Sequence, residues 1–445
     1  MRGMRNLLMV LVALGLGTKR HWHIFIAIFL GGLLGAFAPY NQLHPSFAHQ
    51  TFEILGQVFI RLVAMLAIPL IISSLIIGIS SLGDSRQLGK IGGKTLFLFM
   101  FGMFLASGIA ALIAYYTQPG LRLPHDLTLG SGIAPLILGD IKPITGFTDL
   151  LLNHLIPQNP FGSLAQRDLV PVIVFTVIFG AALGSIGDTA RPVVAFFEAV
   201  FAATMKVVDW VMIFAVLGIF SLTFTAVSHE GIQLLTHMLP FMGSVVFGLL
   251  MIILVVYPIA LFFLARVNFM DLYRAISEAI LVGFGTASSS ATLPVTLACM
   301  ERRGGVSNRI ASFVLPAGVS MNMTGTTMFE VIAVMFLAQL YGIPLPIQTI
   351  FTIMVLAIVA SIGAAGVPSA GMITMSLILN GIGGFRPEQV AAGLSLLWAV
   401  DRILDMCRTS LNVIDDCVVA VIVAAGEGEL NRELLSSGEA WEEVV

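Results

Sequence analysis

Long apolar runs alternate with short polar breaks from one end of this chain to the other. The first six runs fall at about 24–39, 52–80, 95–116, 170–188, 193–227 and 240–265, each about as long as the roughly 20 residues that cross a bilayer as a helix. The pattern predicts a helix for each. The stretch 117–169, with its Pro, Gly, Asn and Asp, interrupts it and reads as an outer loop carrying short helical pieces.

Two later segments depart from the simple pattern. One is apolar over about 270–303 except for GTASSSATLP at its centre, and the other over about 347–385 except for SIGAAGVPSAG. Each apolar arm has only about 13–16 residues, short for a full span at 1.5 Å per residue. Centres rich in Gly, Ser, Ala and Pro hold a helix poorly. The segments therefore read as two re-entrant hairpins, whose non-helical tips need protein or a water-filled cavity around them. Paired interrupted segments are a pointer to a transporter's binding site. Two kinked spanning helices are the plainer reading of the same pattern.

The last apolar segment, at about 396–425, carries Asp401, Asp405, Arg408, Thr409, Asn412 and Asp416. At helical spacing, 401, 405, 408, 412 and 416 lie within roughly 80° of one another, a polar stripe about 22 Å long. Charges at membrane depth cost roughly 2.5–3.5 kcal/mol each, so the stripe must face partners or a cavity. A structural ion pair between Asp405 and Arg408 is one reading. The other is a binding site for an acidic amino acid. Arg408 can fork a carboxylate with two hydrogen bonds, Asp405 can take an ammonium group, and Asn412 and Thr409 can add neutral bonds. Backbone N–H groups at a hairpin tip suit the second carboxylate. Asp416 and Asn412, with carbonyl oxygens, suit a small hard cation.

A third element lies at about 308–340 and contains PAGVSMNMTGTTMFE. Its Asn322, Thr324, Gly325, Thr326 and Thr327 hold a helix weakly, and unwound backbone there would offer carbonyls to a cation. Glu330 follows as an intramembrane carboxylate. Desolvation disfavours the charged form of such a group, which makes Glu330 a candidate proton carrier, with pairing to a neighbouring helix as the alternative.

Composition narrows the class. Of the 445 residues, 58% are hydrophobic and 11% charged, against about a quarter charged in a soluble domain, so lipid is the solvent that fits. A net charge of −3 gives no argument for a nucleic-acid partner. Cys299, Cys407 and Cys417 lack metal-ligand spacing and read as small buried hydrophobes. Lys19 and Arg20, then Arg86, Lys90 and Lys94, Arg191, Arg266 and Arg274, and Arg302, Arg303 and Arg309 mark alternate ends of the runs, whereas 41–51 and 228–238 carry no Lys or Arg. The positive-inside rule then predicts a cytoplasmic N-terminus, with the first hairpin entering from the cytoplasm and the second from outside. Residues 1–23 read as an uncleaved cytoplasmic segment and 427–445 as a solvated acidic tail. Two other classes share parts of this pattern. A charged stripe can line a channel. Asp401 and Asp405 superficially suggest an intramembrane aspartyl protease, but they share one helix, and the Gly-Asp pair at 83–84 lies in a polar loop.

SSSATLP at 288–294, NMTGT at 322–326, AAGVPSAG at 364–371 and VDRILDMCRTSLNV at 400–413 resemble, in order and spacing, the dicarboxylate/amino acid:cation symporter family. That family includes the archaeal aspartate transporters and the mammalian excitatory amino acid transporters. The resemblance covers roughly 24–427. It implies an all-α polytopic membrane protein of eight transmembrane helices plus two re-entrant hairpins, working as an elevator in a homotrimer of the cell membrane, and no enzyme. Scaffold helices would occupy 24–80 and 121–230, and the transport domain 85–120 and 240–426. The implied partners are lipid and a small-molecule substrate, L-aspartate or L-glutamate, with C4-dicarboxylate as the alternative. The implied coupling ion is sodium, with protons as the alternative. By position, Arg408 would bind the side-chain carboxylate and Asp405 the ammonium group. Ser289, Thr326, Thr409 and Asn412 would bind the amino acid backbone, and Val367 and Gly371 would belong to the gating hairpin. One sodium site would use Gly318, Asn322, Asn412 and Asp416. A second would use Ser320 with the carbonyls of Ser361, Ile362 and Ala364. Glu330 matches a proton-carrying glutamate of the mammalian members.

Two departures stand out. Thr324 replaces a sodium-binding Asp of the family, and its expected partners on the third helix are Phe99, Gly102 and Met103, so a third sodium site reads as lost. An arginine that members place in the first tip or after the ammonium-binding Asp is absent, with Ala287 and Met406 in its positions.

Overall fold

The computed structural model describes residues 19–38, 47–80, 86–122, 156, 158–166, 169–230, 238–364, 366, 368–382 and 384–437. Residues 1–18, most of the loop expected at 117–169, and the tail from 438 lie outside them. Among the described residues, regular structure is helical throughout, apart from one isolated bridge between Val306 and Leu430. The six predicted runs form α1 (Lys19–Phe37), α2 (Phe47–Ser80), α3 (Arg86–Thr117), α4 (Leu169–Ser185), α5 (Arg191–Glu230) and α6 (Leu239–Ala265). Helix α6 passes through two π-helical stretches, Ile252–Val256 and Leu261–Ala265, on either side of Tyr257–Ala260.

Each interrupted segment forms two short helices broken at its polar centre. The first hairpin comprises α7 (Ser277–Thr286) and α8 (Ser289–Arg302). Ala287, in the left-handed region at φ 50°, stops α7, and the Ser288 hydroxyl caps α8 by accepting from Ala291 N. The predicted break in the next helix falls at Asn322 and Met323, between α9 (Asn308–Met321) and α10 (Thr324–Leu340). The second hairpin is α11 (Ile347–Gly363) and α12 (Ala370–Ile382). Then comes α13 (Pro387–Glu427), 41 residues and about 60 Å long, opened by Pro387 and closed by Gly428 at φ 74°, with a short helix at Arg432–Ser437 after it.

The helices pack in two sets that meet where α13 lies on α5 and α9 on α2. Helices α1 and α2 lie chiefly on α5, and α4 lies on α2. Helix α3 lies on α10 and α11, while α13 packs against α7, α9 and α10. Four described helices are long and apolar enough to cross a membrane, and they differ in surroundings. Asn308–Leu340 and Gln389–Glu427 are 94% and 89% buried over their most apolar windows, whereas Ile91–Leu121 and Leu239–Ala265 are 39% and 33% buried. The first pair is therefore core. The second turns a face outward, with Phe97, Phe101, Leu254, Phe262 and Phe263 exposed, as lipid contact requires.

The contact of α1 with α5 rests on two glycines one turn apart. A side chain at Gly31 would come within 2.6 Å of the Phe220 carbonyl oxygen, and one at Gly35 within 2.7 Å of that of Phe224. Small residues at this spacing let backbones approach where water supplies no driving force. Replacing both (Gly31→Leu with Gly35→Leu) should force α1 off α5 and lower the detergent-solubilised melting temperature by several degrees. An unchanged melting curve would show that this approach contributes nothing.

Candidate functional site

The two hairpin tips meet inside the protein. Ser288 Oγ donates to the Gly366 carbonyl oxygen at 2.7 Å, and Ser290 N donates to the same oxygen at 3.1 Å. Each tip turns on a non-glycine residue in the left-handed region, Ala287 at φ 50° and Ser369 at φ 59°. Each such residue costs roughly 1–2 kcal/mol, held in place by the contacts around it. Ser289 is buried in the first turn of α8. Val367 lies outside the described residues.

Beneath the tips sits the charged stripe of α13. Arg408 is fully buried, and its Nη2 donates to Asp401 Oδ1 and to Asp405 Oδ1, both at 2.8 Å. The guanidinium lies over the Phe329 ring, 3.9 Å from its centroid. Its Nε and Nη1 make no hydrogen bond. Gly371 borders Nη1, and a side chain there would stand 3.5 Å from it and 2.8 Å from the Thr326 methyl group. The second tip closes on the same group, since Ser369 N donates to Asp405 Oδ2 at 2.8 Å. The ion pair and the binding site, two readings of the sequence, thus share one geometry: Arg408 is paired, yet two of its three nitrogens remain unsatisfied.

One turn further along α13, Asn412 Oδ1 accepts from Gly325 N at 2.7 Å, at the start of α10. Thr409 is buried beside Gly283 of the first hairpin. Asp416 accepts from Asn322 Nδ2 at 2.9 Å, and Gly318 lies so close to its carboxylate that a side chain there would overlap it. Gly318, Asn322 and Asp416 therefore meet, while Asn412 turns its oxygen to Gly325. The second expected cation group is spread more widely. Ala364 packs on Met323, and the Ser361 carbonyl accepts from Ala364 N at 3.1 Å, with Ile362 between them. Ser320 lies instead against α2, where a side chain at Gly78 would meet its Cβ at 3.0 Å.

Glu330 is fully buried and held by both arms of the second hairpin. Ser361 Oγ donates to its Oε2 at 2.9 Å from α11, and Thr374 Oγ1 to its Oε1 at 2.5 Å from α12.

Several residues of this site were not singled out from sequence. Ser369 and Phe329 act through backbone and ring face, which residue type does not announce. Asp415 had a signal, since it is a second intramembrane carboxylate beside Asp416, but it lies off the stripe. It is buried against α10, where it accepts the hydroxyl proton of Thr324. Among the described residues, the buried charged side chains besides His49 are five carboxylates, Glu330, Asp401, Asp405, Asp415 and Asp416, and two guanidinia, Arg402 and Arg408. No group of three or more His, Cys, Asp or Glu gathers as a metal cluster among the described residues.

An all-helical chain with lipid-facing helices, two broken hairpins tied tip to tip and a buried arginine–carboxylate group beneath them is a polytopic membrane transporter. The chain belongs to the sodium:dicarboxylate symporter family, whose profile matches residues 21–425. It is 33% identical over 430 residues to a proton/sodium-glutamate symport protein of Geobacillus stearothermophilus, covering 93% of this chain and 95% of that one. It is 32% identical to a proton/glutamate-aspartate symporter of Escherichia coli, covering 93% and 94%. It is 31% identical to a C4-dicarboxylate transport protein of Brucella anthropi, covering 95% and 92%.

The tie between the tips can be probed directly. On a background without the three native cysteines, Ser369→Cys keeps the backbone N–H that Asp405 uses. A membrane-impermeant thiol reagent should label position 369 slowly, and adding Ser288→Ala should speed labelling several-fold. Equal rates would show that the Ser288–Gly366 bond does not hold the second tip.

Proposed function

We propose that this symporter carries an acidic amino acid, L-aspartate or L-glutamate, together with sodium ions, protons or both. The observation that carries the reading is Asp405 bonded to Arg408 under the second tip. An acidic amino acid brings a group for each. Its side-chain carboxylate takes the unsatisfied guanidinium N–H groups, and its ammonium takes Asp405, replacing the Ser369 N–H as the tip lifts. Asn412, Thr409, Thr326 and Ser289 line the remainder, with Gly371 keeping the guanidinium accessible. A C4-dicarboxylate has no ammonium and would leave the Asp405 charge against its own carboxylates, which ranks that alternative second.

Charge balance supports the coupling. Five buried carboxylates face two buried guanidinia, and the substrate adds another negative charge. Cations or protons entering with it offset that excess. Asp416 with Asn322 and Gly318 is the first candidate sodium position. Ser361, Ile362 and Ala364 offer carbonyls for a second, with Ser320 nearby in sequence to the α9–α10 break. Glu330, gripped by both arms of the second hairpin, is the candidate proton carrier. Its protonation state then acts on the gate itself.

In this reading α1, α2, α4 and α5 form a scaffold that assembles as a homotrimer. Helix α3, α6, the two hairpins, α9, α10 and α13 move together across the membrane as an elevator. The division is supported by the chief contacts, α1 and α2 on α5 in one set and α3 on α10 and α11 in the other, with α13 on α5 and α9 on α2 as contacts between the sets. Both termini are assigned to the cytoplasm on loop charge.

The test is uptake of labelled L-aspartate into proteoliposomes under a sodium or a proton gradient imposed alone. Concentrative uptake is expected, with Arg408→Ala removing it. Asp405→Ser should weaken amino acid uptake at least about tenfold while sparing succinate competition, since tenfold is 1.4 kcal/mol and a hydrogen bond to a charged group contributes about 1.5–3 kcal/mol. Proton-driven uptake should vanish in Glu330→Gln. Unchanged aspartate affinity in Arg408→Ala would refute the assigned pocket.

A further inference from the structure

Next to the candidate sodium position at Asp416 lies a second group of buried oxygens. Asp415 points away from Asp416 towards the start of α10, where the Thr324 hydroxyl donates to its Oδ2. The same hydroxyl lies 3.2 Å from Asn322 Oδ1. Asn322 spends its Nδ2 on Asp416, so its oxygen is left for this side. One hydroxyl proton thus serves two acceptors.

Tyr257 faces the group from α6. It is buried, and its hydroxyl lies close enough to Asp415 to interact with it but closes no hydrogen bond of ordinary geometry. The two π-helical stretches flank Tyr257 on either side, and such insertions in an α-helix recur at functional positions. Across from Asp415, α3 contributes Gly102. A side chain there would stand 3.8 Å from Asp415 Oδ2 and 3.9 Å from Thr324 Oγ1, ordinary contact distances, so glycine leaves room for a methyl-sized group beside both oxygens. Phe99 and Met103 of the same helix are buried. Among the described residues neither Asp415 nor Asp416 makes an ion pair.

A buried carboxylate without a basic partner, a shared hydroxyl, an amide oxygen and an unpartnered phenol come together where Gly102 leaves room for a methyl-sized group. We propose that Asp415, Thr324, Asn322 and Tyr257 bind a further sodium ion, with the carboxylate supplied by α13. The ligand set is all oxygen, as a hard cation requires. One carboxylate balances one monovalent charge. This replaces the expectation that the third cation position is lost. Position 324 no longer carries the acid, but the neighbouring helix returns one within hydrogen-bond reach of the same threonine.

The proposal rests on the sodium-coupled reading above, so its test has a readout that needs no transport. Purified protein in detergent is melted over a range of sodium concentrations, with choline as the control and no substrate. The sodium concentration giving half the stabilisation should rise at least about tenfold in Asp415→Asn, a 1.4 kcal/mol change. It should also rise in Gly102→Leu, which keeps every ligand and fills the space. The exchange Thr324→Asp with Asp415→Gly should restore it. In proteoliposomes, the sodium count per aspartate, taken from the zero-flux gradient, should fall by one in Asp415→Asn and recover in the exchange. Sodium stabilisation and count unchanged in Asp415→Asn and in Gly102→Leu would overturn the proposal. So would a fall in coupled charge with the sodium count unchanged, which would make Asp415 a proton site. If Asp415→Asn does not fold, Gly102→Leu and the exchange decide alone. Absence of aspartate uptake by the unaltered protein would refute the function and leave the melting experiment to judge the site.

Discussion

Charge buried below the membrane surface has to be neutralised, and in this protein its own side chains do not finish the task. Helix α13 brings four aspartates into the core with Arg402 and Arg408, and α10 adds Glu330. Arg408 holds Asp401 and Asp405. The remaining carboxylates rest on neutral donors: an amide for Asp416 and hydroxyls for Asp415 and Glu330. A neutral hydrogen bond offsets part of the desolvation cost of an anion and none of its charge. The closed core is therefore short of positive charge before an anionic substrate arrives. Coupling to cations follows from this shortfall.

The hairpins connect that charge to movement. The second tip touches Asp405 through Ser369 N, and both of its arms touch Glu330. The first tip is tied to the second through Gly366. What happens at the carboxylates is thereby felt by the segments that must open. Broken helices make this possible, because backbone groups where a helix stops can turn to side chains, as Ser369 N does to Asp405.

Much of this was legible in the sequence. Apolar run length placed the helices, and Gly, Ser and Pro in mid-run placed the three breaks, because both signals are local. Arg408, Asp405 and Asp416 stood out because charge is rare at such depth. The role of Asp415 was not legible from periodicity. It leaves α13 on a different side from the stripe, and only the fold shows that its carboxylate reaches Thr324. The expected loss of a cation position rests on Thr324 of α10 with Phe99, Gly102 and Met103 of α3, and takes no account of Asp415, which reaches Thr324 from α13. Contacts made by backbone or ring face, at Ser369 and Phe329, were hidden for the same reason. Gly31 and Gly35 fit the small-residue spacing of a helix interface, but their partner on α5 is more than 180 residues away in the chain.

The central claim is that the closed core lacks positive charge and takes an acidic amino acid only with cations. Calorimetric titration of the purified protein with L-aspartate at neutral pH, in sodium and in choline, tests it most directly. The account predicts binding in sodium that is weakened at least about tenfold, or lost, in choline. Equal affinity in the two salts, at a pH where added protons do not change it, would contradict the account.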